Sequence, residues 1–389
     1  MRRTGSGGTT APSRATEPAG VEPVLPDYGA ACLSSLVPAL YGRNWPDPAE
    51  WLPEAVLGAS QVVLLVLDGL GWHQLRAEGS VAPVLSQAAG RPITSVAPTT
   101  TATALTSIAT GAVPAHHGIL GYRMSPGSGR PGEVMNVLRW SSDAGDLRRV
   151  LPAGSFQRAP AFGGLSVAAV TRSEFATTGF TAAHLGSARL VGWRVPSTMI
   201  VEVSRLLASG EPFVYAYYDG IDKVAHEHGL GEHFRMELRA ADRLVGDLVE
   251  VLPPGAALVV TADHGQVQIE GSAITPAPEI MASVSMISGE GRFRWLHARP
   301  GAGDDLLAAV TEMHGHEAWV RSREQTVEEG WFGGTLAVGF ADRLGDVAIV
   351  ARDPVAFLDP ADTGESLLRA RHGSLTEAEM RVPLIGLAS

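Results

Sequence analysis

Six acidic and histidine residues and one threonine carry the chemistry legible in this chain: Asp68, Asp222, His226, Asp263, His264, His372 and Thr101. Asp68 follows the apolar run VVLLVL, and Asp263 and His264 follow ALVVTA. Asp222 lies just past FVYAYY, with His226 four residues on. Buried strands of an open α/β sheet present their carboxyl ends to ligands, so residues placed just beyond such runs converge. His372 stands in RHGSL, which reads as a loop. Carboxylates and imidazoles in this number are what two adjacent divalent ions need while keeping positions open for a substrate. The three histidines suit zinc best, and manganese less well.

Thr101 ends the triplet after Pro98 and opens a segment of helix length, Thr101–Thr110, closed by Gly111 with Pro114 beyond. A hydroxyl start, a glycine stop and a proline past the stop are helix punctuation. The N–H groups at such a helix start suit a phosphate. A threonine there attacks phosphorus once something lowers its pKa, and metal ions are the usual means. Singly, each feature has a plain reading: Asp68-Gly69 as a turn, Asp222 and His226 as a helix-surface pair. Together they describe one pocket.

The elements that must position these residues alternate between strand and helix. Apolar runs predict strands at Gln61–Leu67, Ile93–Val96, Leu165–Thr171, Phe213–Tyr218, Ala256–Ala262, Asp346–Arg352 and Val382–Leu387. Helices are expected over Tyr28–Leu40, from 70 to about 89, and over Thr101–Thr110, Ser197–Ala208 and Phe234–Leu252. The pattern is α/β: a mostly parallel central sheet with helices on both faces. Residues 123–162 read as loop, and 266–340 as a small α+β insertion. Residues 1–26, rich in Gly, Ser, Thr and Pro, are expected to be a disordered tail before a catalytic domain over 27–389.

A formal charge of −11 argues against a broad basic face for long nucleic acid but leaves room for a small anion held through metal ions. Cys32 is the single cysteine, which excludes a disulfide framework and a thiolate zinc site. The N-terminal stretch has no apolar segment after its basic residues, and no run approaches membrane-spanning length. The expectation is a cytoplasmic protein without membrane partners, its oligomeric state open.

The conjunction resembles the alkaline phosphatase superfamily, and most of all its nucleotide pyrophosphatase/phosphodiesterase branch. The resemblance rests on LDGL at Asp68, PTTT at 98–101, TG-x-x-P-x-x-HGI ending at Ile119, D-x-x-x-H at 222–226, ADHG at 262–265 and His372-Gly373, in the family's order. It implies Thr101 as nucleophile and a phosphothreonine intermediate that water hydrolyses. It also implies one zinc held by Asp68, Asp263, His264 and Thr101, and a second by Asp222, His226 and His372. Phosphodiesterase relatives place an asparagine about two dozen positions after the nucleophile; here Tyr122 stands there, to donate a hydrogen bond through its hydroxyl or to stack on a base. Arg123 is a further candidate for substrate charge. The substrate class implied is a small phosphate diester, such as a nucleotide. A phosphomonoesterase, a phosphonoacetate-type carbon–phosphorus hydrolase and an inactive nucleotide- or metal-binding member are the alternatives. The lack of lysine in 95–125 favours diesters, because a monoester's extra charge wants an added cation.

Overall fold

The computed structural model describes residues 22–41, 49–269, 273–362 and 364–389. Its organising feature is a seven-stranded sheet in the order Gly90–Thr94, Arg381–Ala388, Ala256–Thr261, Gln61–Leu67, Phe213–Tyr218, Ala168–Arg172, Arg189–Trp193. Arg381–Ala388 pairs antiparallel with both of its neighbours, and the other pairings are parallel. Val62 to Leu67, Phe213 to Tyr218 and Ala256 to Thr261 are buried throughout, as parallel strands covered on both faces must be. Neighbouring parallel strands end along one edge, so Asp68, Asp219 and Ala262 open onto the same side of the sheet.

The helix Thr101–Thr110 starts from an extended Thr100 and stops at Gly111, whose φ of 67° is the left-handed stop the glycine was expected to supply. It packs against the first helix, Leu33–Tyr41. The expected long helix after Gly69 is instead two short helices, Trp72–Ala77 and Pro83–Gln87, separated by a turn over Gly79–Val81. Glycine costs helix and proline starts one, which explains the break. The strand expected at Ile93–Val96 runs over Gly90–Thr94, and that at Leu165–Thr171 over Ala168–Arg172. Residues 1–21 of the expected tail lie outside the described residues; its last part is docked, with Val24 N donating to Leu375 O at 2.9 Å.

The 266–340 region contributes to a second sheet, antiparallel and four-stranded, ordered Val284–Glu290, Phe293–Ala298, Val347–Ala351, Ala318–Ser322. The strand near 346–352 therefore belongs to this sheet and carries it past residue 340. Side chains alternate across the strands. Ile287, Leu296, Val347 and Ile349 form a separate small core with Leu306 and Val310 of the helix Gly303–His314. Phe293, Trp295, Ala348 and Val350 face the other way into the main core, beside Trp331 and Phe332. Residues 123–162, expected as loop, hold a ladder of two-residue strands at Arg123–Met124, Met135–Asn136, Ser141–Ser142 and Gly145–Asp146. Strands that short carry no periodicity to read. No helix among the described residues is long and apolar enough to cross a membrane.

Candidate active site

Asp68, Asp263 and His264 form a closed cluster at the carboxyl ends of the two central strands. His264 Nε2 lies 3.5 Å from Asp68 Oδ1 and 3.5 Å from Asp263 Oδ2, and all three side chains are buried. The second oxygen of each carboxylate is pinned: Tyr217 donates its hydroxyl to Asp68 Oδ2, and the Gly69 and His264 amides donate to Asp263 Oδ1 at 3.0 Å each. Asp68 Oδ1 and Asp263 Oδ2 have no hydrogen-bond partner among the described residues. Burial first, then the neighbouring charges of Asp263 and Asp222, pushes the Asp68 carboxyl well above its usual range. Unpartnered buried oxygens carry a large desolvation penalty, and a cation is what relieves it.

Asp222, His226 and His372 form a second cluster, more open than the first. Asp222 and His226 sit one turn apart on the helix Gly220–His228, which puts both on one face. His226 Nε2 is 3.3 Å and His372 Nε2 3.8 Å from Asp222 Oδ1, which also accepts from Gln266 Nε2 at 2.5 Å. The clusters adjoin, since the His264 and His372 rings stack at 3.6 Å between centroids. Burial, with the two neighbouring imidazoles, holds His372 well below its usual pKa, so it is a neutral ring.

The three histidines share a wiring pattern. Nδ1 meets a backbone carbonyl in each: Gly265 for His264 at 3.0 Å, Ala370 for His226 at 2.8 Å and Thr99 for His372 at 2.8 Å. A carbonyl only accepts, so Nδ1 carries the proton and Nε2 turns its lone pair toward the carboxylates. That is the tautomer a metal-ligating histidine needs. Ligand types, orphaned oxygens and ring orientation all fit divalent cations.

Thr101 stands at the start of its helix with its hydroxyl 3.2 Å from His264 Nε2. The loop carrying His372 is tied to the same helix start, because Thr99 N donates to Gly373 O at 3.1 Å and Thr99 Oγ1 to Ser374 O at 2.7 Å. Gly373 has φ 126°, and a Cβ there would sit 2.8 Å from Glu290 Cγ. Only glycine lets that loop pass between Thr99 and the insertion sheet.

Thr101, Asp222, His226 and His372 open into a cavity of about 710 Å³. Its opposite walls come from the short-strand ladder (Tyr122, Asn136, Arg139), from the insertion sheet (Glu290, Gly291) and from Glu365 and Arg371. Tyr122 lines the cavity, with Asn136 Nδ2 donating to its hydroxyl at 2.7 Å. Arg123 lines it too but is largely engaged: Nη1 is 2.7 Å from Asp359 and 3.1 Å from Asp362.

All seven residues singled out for metal and nucleophile roles thus meet in one place. The structure adds Asn136, Glu290, Arg371, Tyr217 and Gln266, which sequence reasoning missed. Gln266 stands two residues past His264, and Tyr217 is the last but one residue of the strand that leads to Asp222, so proximity to a motif was the available signal for both. Arg371 directly precedes His372 and had the same signal, whereas Asn136 and Glu290 arrive by tertiary folding alone. Among the remaining histidines, His117 is buried and held neutral, its pKa lowered to about 3 by burial, and lies 2.8 Å from Ser107 Oγ. It orders the loop, with Ile119 N donating to its Nδ1 at 3.1 Å. His228 and His233 stack on each other at 4.1 Å. Lys223 pairs with the buried Asp219 at 2.5 Å.

A family model described as type I phosphodiesterase / nucleotide pyrophosphatase matches residues 62–375. No curated protein matches in a sequence search. Among solved structures, murine ectonucleotide pyrophosphatase / phosphodiesterase 5 superposes with a TM-score of 0.63 at 16% identity, covering 85% of this chain and 88% of that one. An inactive threonine-to-alanine form of the murine protein, in complex with AMP, gives 0.63 at 15% identity over 84% and 87% of the two chains. Phosphonoacetate hydrolase from Sinorhizobium meliloti 1021, in complex with phosphonoacetate, gives 0.61 at 20% identity over 85% and 90%. At such identities the likeness speaks to the fold.

Proposed function

The chain belongs to the type I phosphodiesterase / nucleotide pyrophosphatase family, and from that premise we propose a two-zinc hydrolase of phosphate diesters with Thr101 as nucleophile. The observation that carries this reading is the Thr101 hydroxyl, 3.2 Å from His264 Nε2 at a helix start, in a cavity it shares with Asp222, His226 and His372. Asp68, Asp263, His264 and Thr101 would hold one zinc, and Asp222, His226 and His372 the other. Manganese is the alternative ion. Bound there, such cations supply Lewis acidity, which lowers the pKa of a hydroxyl and offsets charge on phosphoryl oxygens.

Thr101 Oγ1 gives up its proton and attacks phosphorus in line, forming a phosphothreonine as the bond to the leaving alcohol breaks. The alcohol departs and takes up a proton. Water then cleaves the phosphorus–oxygen bond to Thr101, returning the hydroxyl and releasing a phosphate monoester. Throughout, the first-turn N–H groups of the helix hold non-bridging oxygens, and the closed walls around Asp68 and Asp263 exclude competing water. The inactive threonine-to-alanine relative with AMP bound supports both the nucleophile and a nucleotide-sized substrate.

Thr101→Ala is expected to lower kcat on a nitrophenyl phosphodiester by about 10³-fold or more, while zinc content by mass spectrometry stays near two ions per chain. Undiminished turnover would refute the nucleophile. Zinc-free protein that turns over as fast as the loaded enzyme would refute metal dependence. The phosphonoacetate complex of the bacterial neighbour makes phosphonoacetate the second substrate to assay. Faster turnover of phosphonoacetate than of any diester would move the reading to carbon–phosphorus cleavage.

A further inference from the structure

Arg292 and Glu379 form an ion pair with no exposed side-chain surface, and neither lines the cavity. Arg292 Nε and Nη2 donate to the two Glu379 oxygens at 2.8 Å each. The other donors of Arg292 go to main-chain carbonyls: Nη1 to Asp353 at 2.9 Å and Val355 at 2.8 Å, and Nη2 to Ala351 at 3.3 Å. Glu379 also accepts from Ser374 N at 3.0 Å and from Thr376 Oγ1 at 2.6 Å. A guanidinium has five N–H groups, so all of them are used, and so are both carboxylate oxygens.

The pair joins three parts of the site. Arg292 follows Glu290 and Gly291, which line the cavity, in the first hairpin of the insertion sheet. Ser374, two residues past His372, is held by Glu379 through its amide and by Ala351 O through its hydroxyl at 2.5 Å. The Ser374 carbonyl accepts from Thr99 Oγ1, and Gly373 N donates to that same hydroxyl at 3.1 Å. Thr99 O is the acceptor for His372 Nδ1. The Glu379 carbonyl accepts from Gly265 N at 2.8 Å, next to His264. Thus the Glu379 side chain holds the loop of the open cluster, and its main chain the loop of the closed one. Apolar groups often replace a buried ion pair at no cost in stability, so stability alone does not account for this one.

We propose that Arg292 and Glu379 are positioning residues: their buried pair clamps the insertion hairpin to the loop 372–374 and so fixes the direction in which the His372 imidazole presents Nε2. The inference goes beyond the two-cation reading and takes from it only the consequence, a tighter hold of the open cluster on its ion. Groups that orient a ligating ring are worth about 10-fold or more in metal affinity. The effect is one-sided, because a side-chain substitution at Glu379 leaves its carbonyl bonded to Gly265.

Zinc titration of metal-free protein against a chelating dye is the first test. Glu379→Gln is expected to weaken one ion by about 10-fold, the same ion that Asp222→Asn weakens, and the other by less than about threefold. Arg292→Lys keeps the charge without the two-pronged bond and should recover part of the affinity. Because a lone buried charge destabilises, the deciding variant replaces both partners. Arg292→Met with Glu379→Leu should keep a urea midpoint near that of the wild type and still lose affinity, since Ser374 N has no acceptor. A double variant as stable as wild type with unchanged affinity, or equal weakening of both ions in Glu379→Gln, overturns the proposal. Nitrogen NMR of the metal-free protein needs no cation. The His372 signal, identified by its loss in His372→Gln, should show the proton on Nδ1 in wild type and a mixture of tautomers in Glu379→Gln. An unchanged tautomer overturns the proposal. This reading decides it even if the wild type binds no zinc, a result that would overturn only the two-cation reading.

Discussion

The two carboxylate–histidine clusters use the same residue types and differ in how they meet water. Asp68, Asp263 and His264 are buried and stand just past the ends of central strands. Asp222 and His226 stand on a helix lining the cavity and are partly exposed, and only His372 beside them is buried. The closed cluster faces the Thr101 hydroxyl through His264, whereas the open one lines the cavity, where on the proposed mechanism a leaving group would depart and water enter. Burial concentrates electrostatic effect where a hydroxyl must be activated; openness permits exchange where molecules must pass. One chemistry, set in two dielectric surroundings, would thereby serve two steps.

This contrast can be broken most forcefully by neutralising one aspartate in each cluster. Asp263→Asn, which removes a buried carboxylate near the proposed nucleophile, is expected to reduce diester kcat by about 10³-fold, with no recovery in excess zinc. Asp222→Asn should cost less, about 10²-fold, and recover partly as zinc is added, because the open cluster equilibrates with solvent. Metal content and rate titrated against zinc measure both, and equal losses with equal recovery would erase the distinction.

Smaller effects come from the groups that orient the ligands. Tyr217→Phe removes the donor to Asp68, and Gln266→Ala the donor to Asp222. Losses in zinc affinity of about 10-fold are expected, greater for Tyr217 because the closed cluster has no water to replace the lost bond. Competition with a chelating dye reads this out.

The smallest expected effect concerns Glu290. Its carboxyl rises from 4.5 to about 8 on folding, chiefly through burial. The folded state thus holds its proton more tightly, so this contribution to stability is complete below pH 4.5 and lost as the pH climbs through about 8. The urea midpoint of metal-free wild type should decline over that window, and Glu290→Gln should flatten the decline. An identical slope in both would show that Glu290 does not titrate there.

What could be read from the residues follows the same division. Gln61–Leu67 and Phe213–Tyr218 were legible to both ends because strands buried on two faces are written as unbroken apolar runs. The helix at Thr101 was legible because its boundaries are punctuation. Ligands just past those strands were legible for the topological reason that parallel strands end together. The edge strand Arg189–Trp193 was missed, being mostly exposed and so free of any apolar signature. Asn136 and Glu290 were missed because they lie on the short ladder and the insertion sheet, which meet only across the cavity. No spacing along the chain encodes that meeting.

The small antiparallel sheet buries one face in its own core and the other in the main one, with Glu290 at the tip of its first hairpin. Such a roof cannot be exchanged as a module, since removing it would strip the floor of its hydrophobic support.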